Sequence, residues 1–113
     1  MAAGYQELFI EQGADFSTSI TLDDADNQAF DLTGYVAKSQ IKKSYYSSNA
    51  AAQFTITIPT PANGILNMSL SSANTANISA GRYVYDVIIK NPSNVTTRVL
   101  EGIVNIVPQV TKF

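Results

Sequence analysis

The chain has 113 residues and a formal net charge of −2, and its charged fraction of 14% is well below the quarter usual for globular domains. Its seven lysines and arginines form no long run, which argues against nucleic acid as a partner. Cysteine and histidine are absent, which excludes disulfides, Cys-ligated metals and the commonest general base. The length predicts a single domain over residues 1–113.

Nothing in the sequence indicates a membrane. The first seven residues contain neither the basic region nor the apolar stretch of a secretory signal. No segment approaches 18 consecutive apolar residues, so we expect no membrane span. The sequence therefore predicts synthesis in a cytoplasm and no membrane partner.

Two strand patterns open the chain. Residues 5–12 form the first predicted strand, and the Gln12-Gly13 pair permits a turn after it. Residues 15–22 alternate between apolar and hydroxyl side chains, which is typical of a half-buried strand. The core candidates of this second strand are Phe16, Ile20 and Leu22.

An acidic segment follows the second strand and offers hard oxygen ligands of the kind that Ca²⁺ prefers. Its members are Asp23, Asp24, Asp26 and Asn27. The EF-hand pattern fails, because no glycine occupies the sixth position and no distal glutamate follows. We therefore predict a solvated turn and no metal site or other cofactor.

The third predicted strand covers residues 35–43 and has mixed polarity. Residues 44–52, which follow it, are small and polar and form a predicted loop. Tyr45 and Tyr46 are the only large side chains in that loop. They suit an interface anchor or a platform for a sugar ring, and an ordinary exposed loop explains them equally well.

Two more strands form a predicted hairpin with a long connection. The first spans residues 54–58 and ends at Pro59, which cannot donate to the ladder, and the second spans residues 66–70. The connection contains Asn63-Gly64, two residues that tolerate positive φ. The core candidates of the hairpin are Phe54, Ile56, Leu66 and Met68.

The strongest strand pattern lies at residues 81–90, after a stretch at 71–80 that has room for one helical turn. Tyr83, Tyr85 and Val87 recur at period two as core candidates. The opposite face is also partly apolar, which is typical of a strand in the middle of a sheet and covered on both sides.

The last predicted strand, residues 95–107, is long and carries few charges. As an exposed edge it would be a template for pairing with another chain, which predicts a homo-oligomer or docking through this strand or the face beside it. The alternative is that it lies inside the sheet next to residues 81–90. Gly102 is the one predicted bulge site, and the candidate interface residues are Val99, Glu101 and Ile103.

About seven strands with turn signals every 8–14 residues predict an all-β sandwich with at most one short helical turn. The pattern Gly81-x-Tyr83-x-Tyr85 resembles the approach to strand F of immunoglobulin-like domains, with Tyr85 in the place of the family cysteine. The resemblance implies that the Tyr83 hydroxyl bonds to backbone a few residues upstream.

Three stretches in order carry a wider resemblance over residues 16–111. They are residues 31–35 with 40–45, residues 80–86, and residues 99–104 with Pro108 and 110–111. Together they resemble small virion structural proteins of T4-like phages of marine cyanobacteria. They are also similar to the N-terminal immunoglobulin-like domain of phage upper baseplate proteins, which are much longer.

This resemblance implies a non-enzymatic structural protein of the virion, made in the host bacterial cytoplasm. It would act in the tail or baseplate or decorate the capsid, with other virion proteins and further copies of itself as partners. The alternative is an immunoglobulin-like module that binds glycans or a host surface through its loop tyrosines. No motif places carboxylates for catalysis, so we expect no enzyme.

Overall fold

Residues 4–24 and 26–112, which the computed structural model describes, fold into nine strand segments, one 3-10 turn at Pro61–Asn63 and one short helix, α1 (Ser72–Ala76). The predicted strand at residues 5–12 is divided in two, and a short strand that was not predicted lies at residues 52–53, which gives nine segments. In chain order the segments are β1 (Gly4–Tyr5), β2 (Leu8–Glu11), β3 (Phe16–Thr21), β4 (Val36–Lys42), β5 (Ala52–Gln53), β6 (Thr55–Thr57), β7 (Ile65–Leu70), β8 (Gly81–Lys90) and β9 (Thr96–Val107).

The segments form two sheets that pack as an immunoglobulin-like sandwich, which confirms the predicted all-β fold. The large sheet has the order β1–β9–β8–β4–β5, with β2 also paired to β9. The small sheet has the order β3–β7–β6. The predicted position of residues 81–90 is confirmed, because β8 lies between β4 and β9 and is antiparallel to both.

The long last strand is not an edge of the large sheet. Its free side is occupied by β1 and β2, which pair with β9 in parallel at one continuous register, Tyr5 opposite Glu101 and Leu8 opposite Val104. The prediction of an exposed edge strand is therefore wrong, and the alternative of an internal strand is correct. Sequence periodicity indicates a strand but does not identify its partners, which here lie at the other end of the chain.

The predicted strand at residues 54–58 is shorter in the structure, and a further strand precedes it that begins in the predicted loop. Ala52–Gln53 pairs with β4 in the large sheet, and Thr55–Thr57 pairs with β7 in the small sheet. Phe54 lies between the two pieces, with its N–H donating to the Ser39 carbonyl at 2.9 Å and its side chain in the core. The chain thus crosses from one sheet to the other at a buried aromatic residue.

The connections follow the predicted turn chemistry. In the hairpin of β6 and β7, Gly64 has a φ of +67°, as the Asn-Gly pair predicts. The helix α1 begins after Ser71, whose Oγ accepts from the Asn74 N–H at 3.3 Å. Thr75 of this helix is fully buried, and its hydroxyl donates to the Ala14 carbonyl and accepts from the Gly13 N–H.

One core lies between the sheets, and most of the predicted core residues belong to it. Ile20, Leu22, Phe54, Leu66, Met68, Tyr83, Tyr85 and Val87 are all buried. Phe16 and Ile56 are only partly buried and pack against the margin of the core, because β3 and β6 are the edge strands of the small sheet.

Candidate protein-contact surface

The outer faces of the two sheets differ in chemistry. The small sheet presents hydroxyl and amide side chains to solvent, and Ile65 is the only large apolar side chain among them. The polar members are Ser17, Ser19 and Thr21 from β3, Thr55 and Thr57 from β6, and Asn67 and Ser69 from β7. Such a face is well solvated, and it offers little apolar area to a partner.

The outer face of the large sheet combines aliphatic and charged side chains. Val84, Ile88 and Ile103 form its half-buried centre, while Phe9 is 65% exposed at one margin and Val36 is 55% exposed at the other. The remaining members are Lys38, Gln40, Lys42, Arg82, Asp86, Lys90, Arg98, Glu101, Asn105, Val107 and Glu11. This face therefore offers more apolar area to a partner than the outer face of the small sheet does.

An ion-pair cluster lies within this face. Arg98 Nε is 3.3 Å from the Asp86 carboxylate, and Arg98 Nη1 is 3.1 Å from the Glu101 carboxylate. Asp86 and Glu101 are opposite each other on β8 and β9, so the guanidinium relieves the repulsion between two neighbouring carboxylates. These side chains are partly exposed, so the pairs add little stability.

A bulge in β9 makes this cluster possible. Val87 is opposite Leu100 whereas Ile88 is opposite Arg98, so Val99 is an extra residue in the strand. Residues three apart in a regular strand point to opposite faces, and the extra residue brings Arg98 and Glu101 to the same face. The predicted bulge at Gly102 is therefore wrong, because the irregularity lies three residues earlier.

The candidate interface residues of β9 have different positions. Glu101 and Ile103 are half-buried on the outer face, where a partner can reach them. Val99 is only 4% exposed and belongs to the core, because the bulge turns it inward next to Leu100. Val99 must therefore be removed from the candidate interface.

The two loop tyrosines also differ from each other. Tyr45 is 61% exposed and lines a shallow groove of about 280 Å³ on the outer face. The other polar residues of this groove are Gln40, Lys42, Asp86 and Arg98. Tyr46 is 97% exposed and is not among the residues that line it. Only Tyr45 of the pair is thus joined to the surface that contains Glu101 and Ile103.

Two core tyrosines hold the surrounding backbone in place. The Tyr83 hydroxyl donates to the Ser79 carbonyl at 2.7 Å, which confirms the predicted tyrosine corner. The Tyr85 hydroxyl donates to the Gln6 carbonyl at 2.7 Å, and its ring packs edge-on against Phe54. Burial, with the nearby Tyr5 as a smaller cause, raises the pKa of Tyr85 to about 12.

Gln6 is the point where the first predicted strand is interrupted between β1 and β2. Its N–H donates to the Glu101 carbonyl at 3.0 Å, while its own carbonyl accepts from Tyr85. Gly102 lies beneath it, and a Cβ there would collide with the Gln6 carbonyl and press on the Tyr85 ring. Gly102 therefore allows the backbone at Gln6 to approach β9 closely. Strand periodicity in the sequence does not reveal this role.

The acidic segment forms a turn in which the Asp24 side chain accepts hydrogen bonds from the backbone of the same turn. Asp24 Oδ1 accepts from the N–H groups of Asp26 at 2.9 Å and Gln28 at 3.0 Å. Ala25, which the turn was predicted to include, lies outside the described residues. Within residues 4–24 and 26–112, no three acidic side chains are grouped so that they could hold a metal ion. No helix in the same part of the chain is both long and apolar enough to cross a membrane.

No protein-family model matches this chain, and no curated protein matches its sequence. The structure is similar to the crystal structure of CopC from Methylosinus trichosporium OB3b, with a TM-score of 0.51. The match covers 94% of this chain and 90% of CopC, at 7% sequence identity. At that identity the similarity concerns the fold alone.

Proposed function

We propose that this chain is a non-enzymatic structural protein of a phage particle, which assembles through the outer face of its large sheet. The observation that carries the proposal is the contrast between the two outer faces. One is covered with hydroxyl and amide groups, whereas the other presents Val84, Ile88 and Ile103 around an ion-pair cluster. The sequence resemblance to small virion proteins supports the particle as the setting.

The chemistry of this face suits assembly better than catalysis. Its central charges are already paired, since Arg98 binds both Asp86 and Glu101. A protein that covers the aliphatic side chains at the centre would therefore bury charges that already have a partner.

The test is the protein inventory of purified particles. A phage that carries this sequence should yield particles in which mass spectrometry finds the chain in stoichiometric amount. Ile88→Asp should remove it from particles, because the change introduces a charge at the centre of the contact face. The matched control is Thr57→Asp on the outer face of the small sheet, which should be incorporated normally. Absence of the wild-type chain from particles would overturn the proposal.

A glycan-binding module is the second candidate, and the position of Tyr45 favours it. The ring lies beside a groove that also contains the side chains of Gln40, Asp86 and Arg98. An aromatic face with amide and charged groups nearby is suited to a sugar ring and its hydroxyls. A glycan array separates the candidates: binding that is lost in Tyr45→Ala and kept in Tyr46→Ala supports the module, and no binding excludes it.

A further inference from the structure

The charges at the two sides of the outer face of the large sheet differ in sign. Lys38 and Lys42 lie on β4, at one side of the face. Glu7 and Glu11 lie on the opposite side, where Glu11 belongs to β2 and the Glu7 carboxylate accepts from Asn105 Nδ2 of β9 at 2.8 Å. The basic and acidic sides are therefore separated by β8 and β9.

The two sides do not neutralise each other within one molecule. Three strand spacings of about 4.8 Å separate β4 from β2, or roughly 14 Å across the face. That distance exceeds the Debye length of about 8 Å at physiological salt. Among the described residues the ion pairs of this face are made by Arg98, at its centre, and not by Lys38 or Lys42.

We propose that this face binds a second copy of the chain, in a two-fold dimer whose axis runs parallel to the strands between β8 and β9. The inference rests on the proposed function and adds to it the identity of one partner. A contact between identical faces must be self-complementary. The charges at the two sides of the face distinguish between the two-fold arrangements.

Two orientations of the axis are available to sheets packed face to face. An axis that runs across the strands places β4 over the partner's β4, so that lysine meets lysine. An axis along the strands places β4 over the partner's β2, so that lysine meets glutamate. In the second arrangement β8 also lies over the partner's β9. By the register, Val84 then faces Ile103 of the other copy and Ile88 faces Arg98, while Asp86 faces Glu101, so that the ion-pair clusters of the two copies meet at the axis.

The register identifies the charge pair that meets. Lys42 is opposite Val84, which is opposite Ile103. The register of β1 and β2 with β9, in which Tyr5 is opposite Glu101 and Leu8 is opposite Val104, places Glu7 level with Ile103 as well. Rotation about an axis parallel to the strands does not change the position of a residue along the strand direction. Lys42 of each copy therefore faces Glu7 of the other.

The flat area of the overlapping faces is roughly half of a standard contact. Four strand positions overlap in this arrangement, about 4.8 Å apart and each with some seven residues at about 3.3 Å, which gives a flat area on the order of 440 Å². The accessible area of a corrugated face exceeds its flat projection, and a standard interface buries about 800 Å² per partner. The dimer would also cover the exposed Phe9, which lies at the margin next to β9.

The experiment is a charge exchange followed by sedimentation velocity. The wild type should be a dimer. Lys42→Glu alone and Glu7→Lys alone should each weaken it about tenfold or more, because each creates two like-charged contacts per dimer. An equimolar mixture of the two variants should form a heterodimer with affinity near that of the wild type, since both contacts again join opposite charges.

Lys112→Glu is the matched control and should leave the dimer unchanged, since this lysine lies in the C-terminal segment outside the strands. A wild type that stays monomeric up to millimolar concentration would overturn the proposal. So would single variants that dimerise normally, or a mixture that fails to recover. Circular dichroism identifies any variant that does not fold. In that case the experiment is repeated with Lys42→Gln and Glu7→Gln. Each of these neutral variants should weaken the dimer less than the charge reversal at the same position.

Failure of this inference can be told apart from failure of the proposed function. A monomeric protein that still needs Ile88 to enter particles would retain the function and lose only self-association. A protein that dimerises through this face but is absent from particles would retain the dimer and lose the function.

Discussion

Single residues explain how β1 and β2, which together have only six residues paired with β9, are held at the edge of the large sheet. Gln6 is held through its N–H by Glu101 and through its carbonyl by Tyr85. The Tyr85 hydroxyl thus links the middle of the sheet to its margin. Gly102 makes the approach possible, because any side chain there would occupy the space of the Gln6 carbonyl.

Tyr85→Phe should destabilise the protein by about 1 kcal/mol, the net contribution of one hydrogen bond, since the ring and its packing on Phe54 remain. Tyr85→Ala should cost about 3–5 kcal/mol, because it also empties the core site. Tyr46→Phe is the control, and it should have no measurable effect because the side chain is 97% exposed. Urea melts measure all three, and equal stability of Tyr85→Phe and wild type would contradict the role of the hydroxyl.

The same hydroxyl predicts a dependence of stability on pH. In the unfolded chain Tyr85 ionises near 10.0, whereas in the folded protein its pKa is about 12. Above pH 10 the unfolded state therefore loses this proton first, so the free energy of unfolding should fall as the pH rises from about 10 to about 12. Below that range this residue contributes no pH dependence.

Comparison with Tyr85→Phe isolates this effect from the ionisation of the other tyrosines. Urea melts at about pH 9 and about pH 11 should show a smaller loss of stability in the variant than in the wild type. Parallel loss in the two proteins would mean that Tyr85 titrates alike in the folded and unfolded chains.

At the scale of strands, the sequence predicts what lies within one strand better than what lies between strands. The period-two pattern of Tyr83, Tyr85 and Val87 correctly predicts the bounds and the central position of β8. Phe54 and Ile56 fit the same period, yet the chain passes from the large sheet to the small sheet between them. The alternation does not reveal this, because the inner faces of both sheets contribute apolar side chains to the same core.

The candidate surface shows the same division. Tyr45, Glu101 and Ile103 could be chosen from the sequence as exposed or interrupting residues, and they lie on one face. Arg98 and Asp86 could not be joined in advance, because their contact depends on a bulge and on strand register. The burial of Val99 has the same cause, which is why the prediction failed there.

The edge strand gives a prediction at this scale. Gly102→Ala should destabilise the protein by about 1–3 kcal/mol, as overpacking does, because the new methyl group displaces the Gln6 carbonyl. Hydrogen exchange should accelerate chiefly in residues 4–11, which lose their hold on β9. Gly4→Ala is the control, since its Cβ would make an ordinary contact of 3.5 Å with Leu100 Cδ1. If residues 4–11 exchange no faster in Gly102→Ala than in Gly4→Ala, Gly102 is not needed for the pairing of β1 and β2 with β9.

At the scale of the molecule, one core joins the two sheets. Leu66 and Met68 of the small sheet belong to the same buried cluster as Val87 and Val104 of the large sheet. Neither sheet has an apolar core of its own, so unfolding should be a single cooperative transition. Tyrosine fluorescence and far-UV circular dichroism should give coincident urea transitions, with a β-type spectrum.

Leu66→Ala tests whether the two sheets unfold in one transition. The side chain is fully buried, so its truncation should cost about 2–5 kcal/mol and shift both signals together. Separate midpoints for the two signals, in wild type or variant, would show that the sheets unfold independently.

The parallel pairing of the first strands with the last one also sets the order in which the protein can be completed on the ribosome. Leu8 and Ile10 belong to the buried core, and β2 joins the sheet through β9, where Leu8 is opposite Val104. At about 5–20 residues per second, synthesis of the intervening chain takes roughly 5–20 s, during which β2 has no strand to join. This early segment is therefore placed late, and the side chains of Leu8 and Ile10 remain available to chaperones until β9 has emerged.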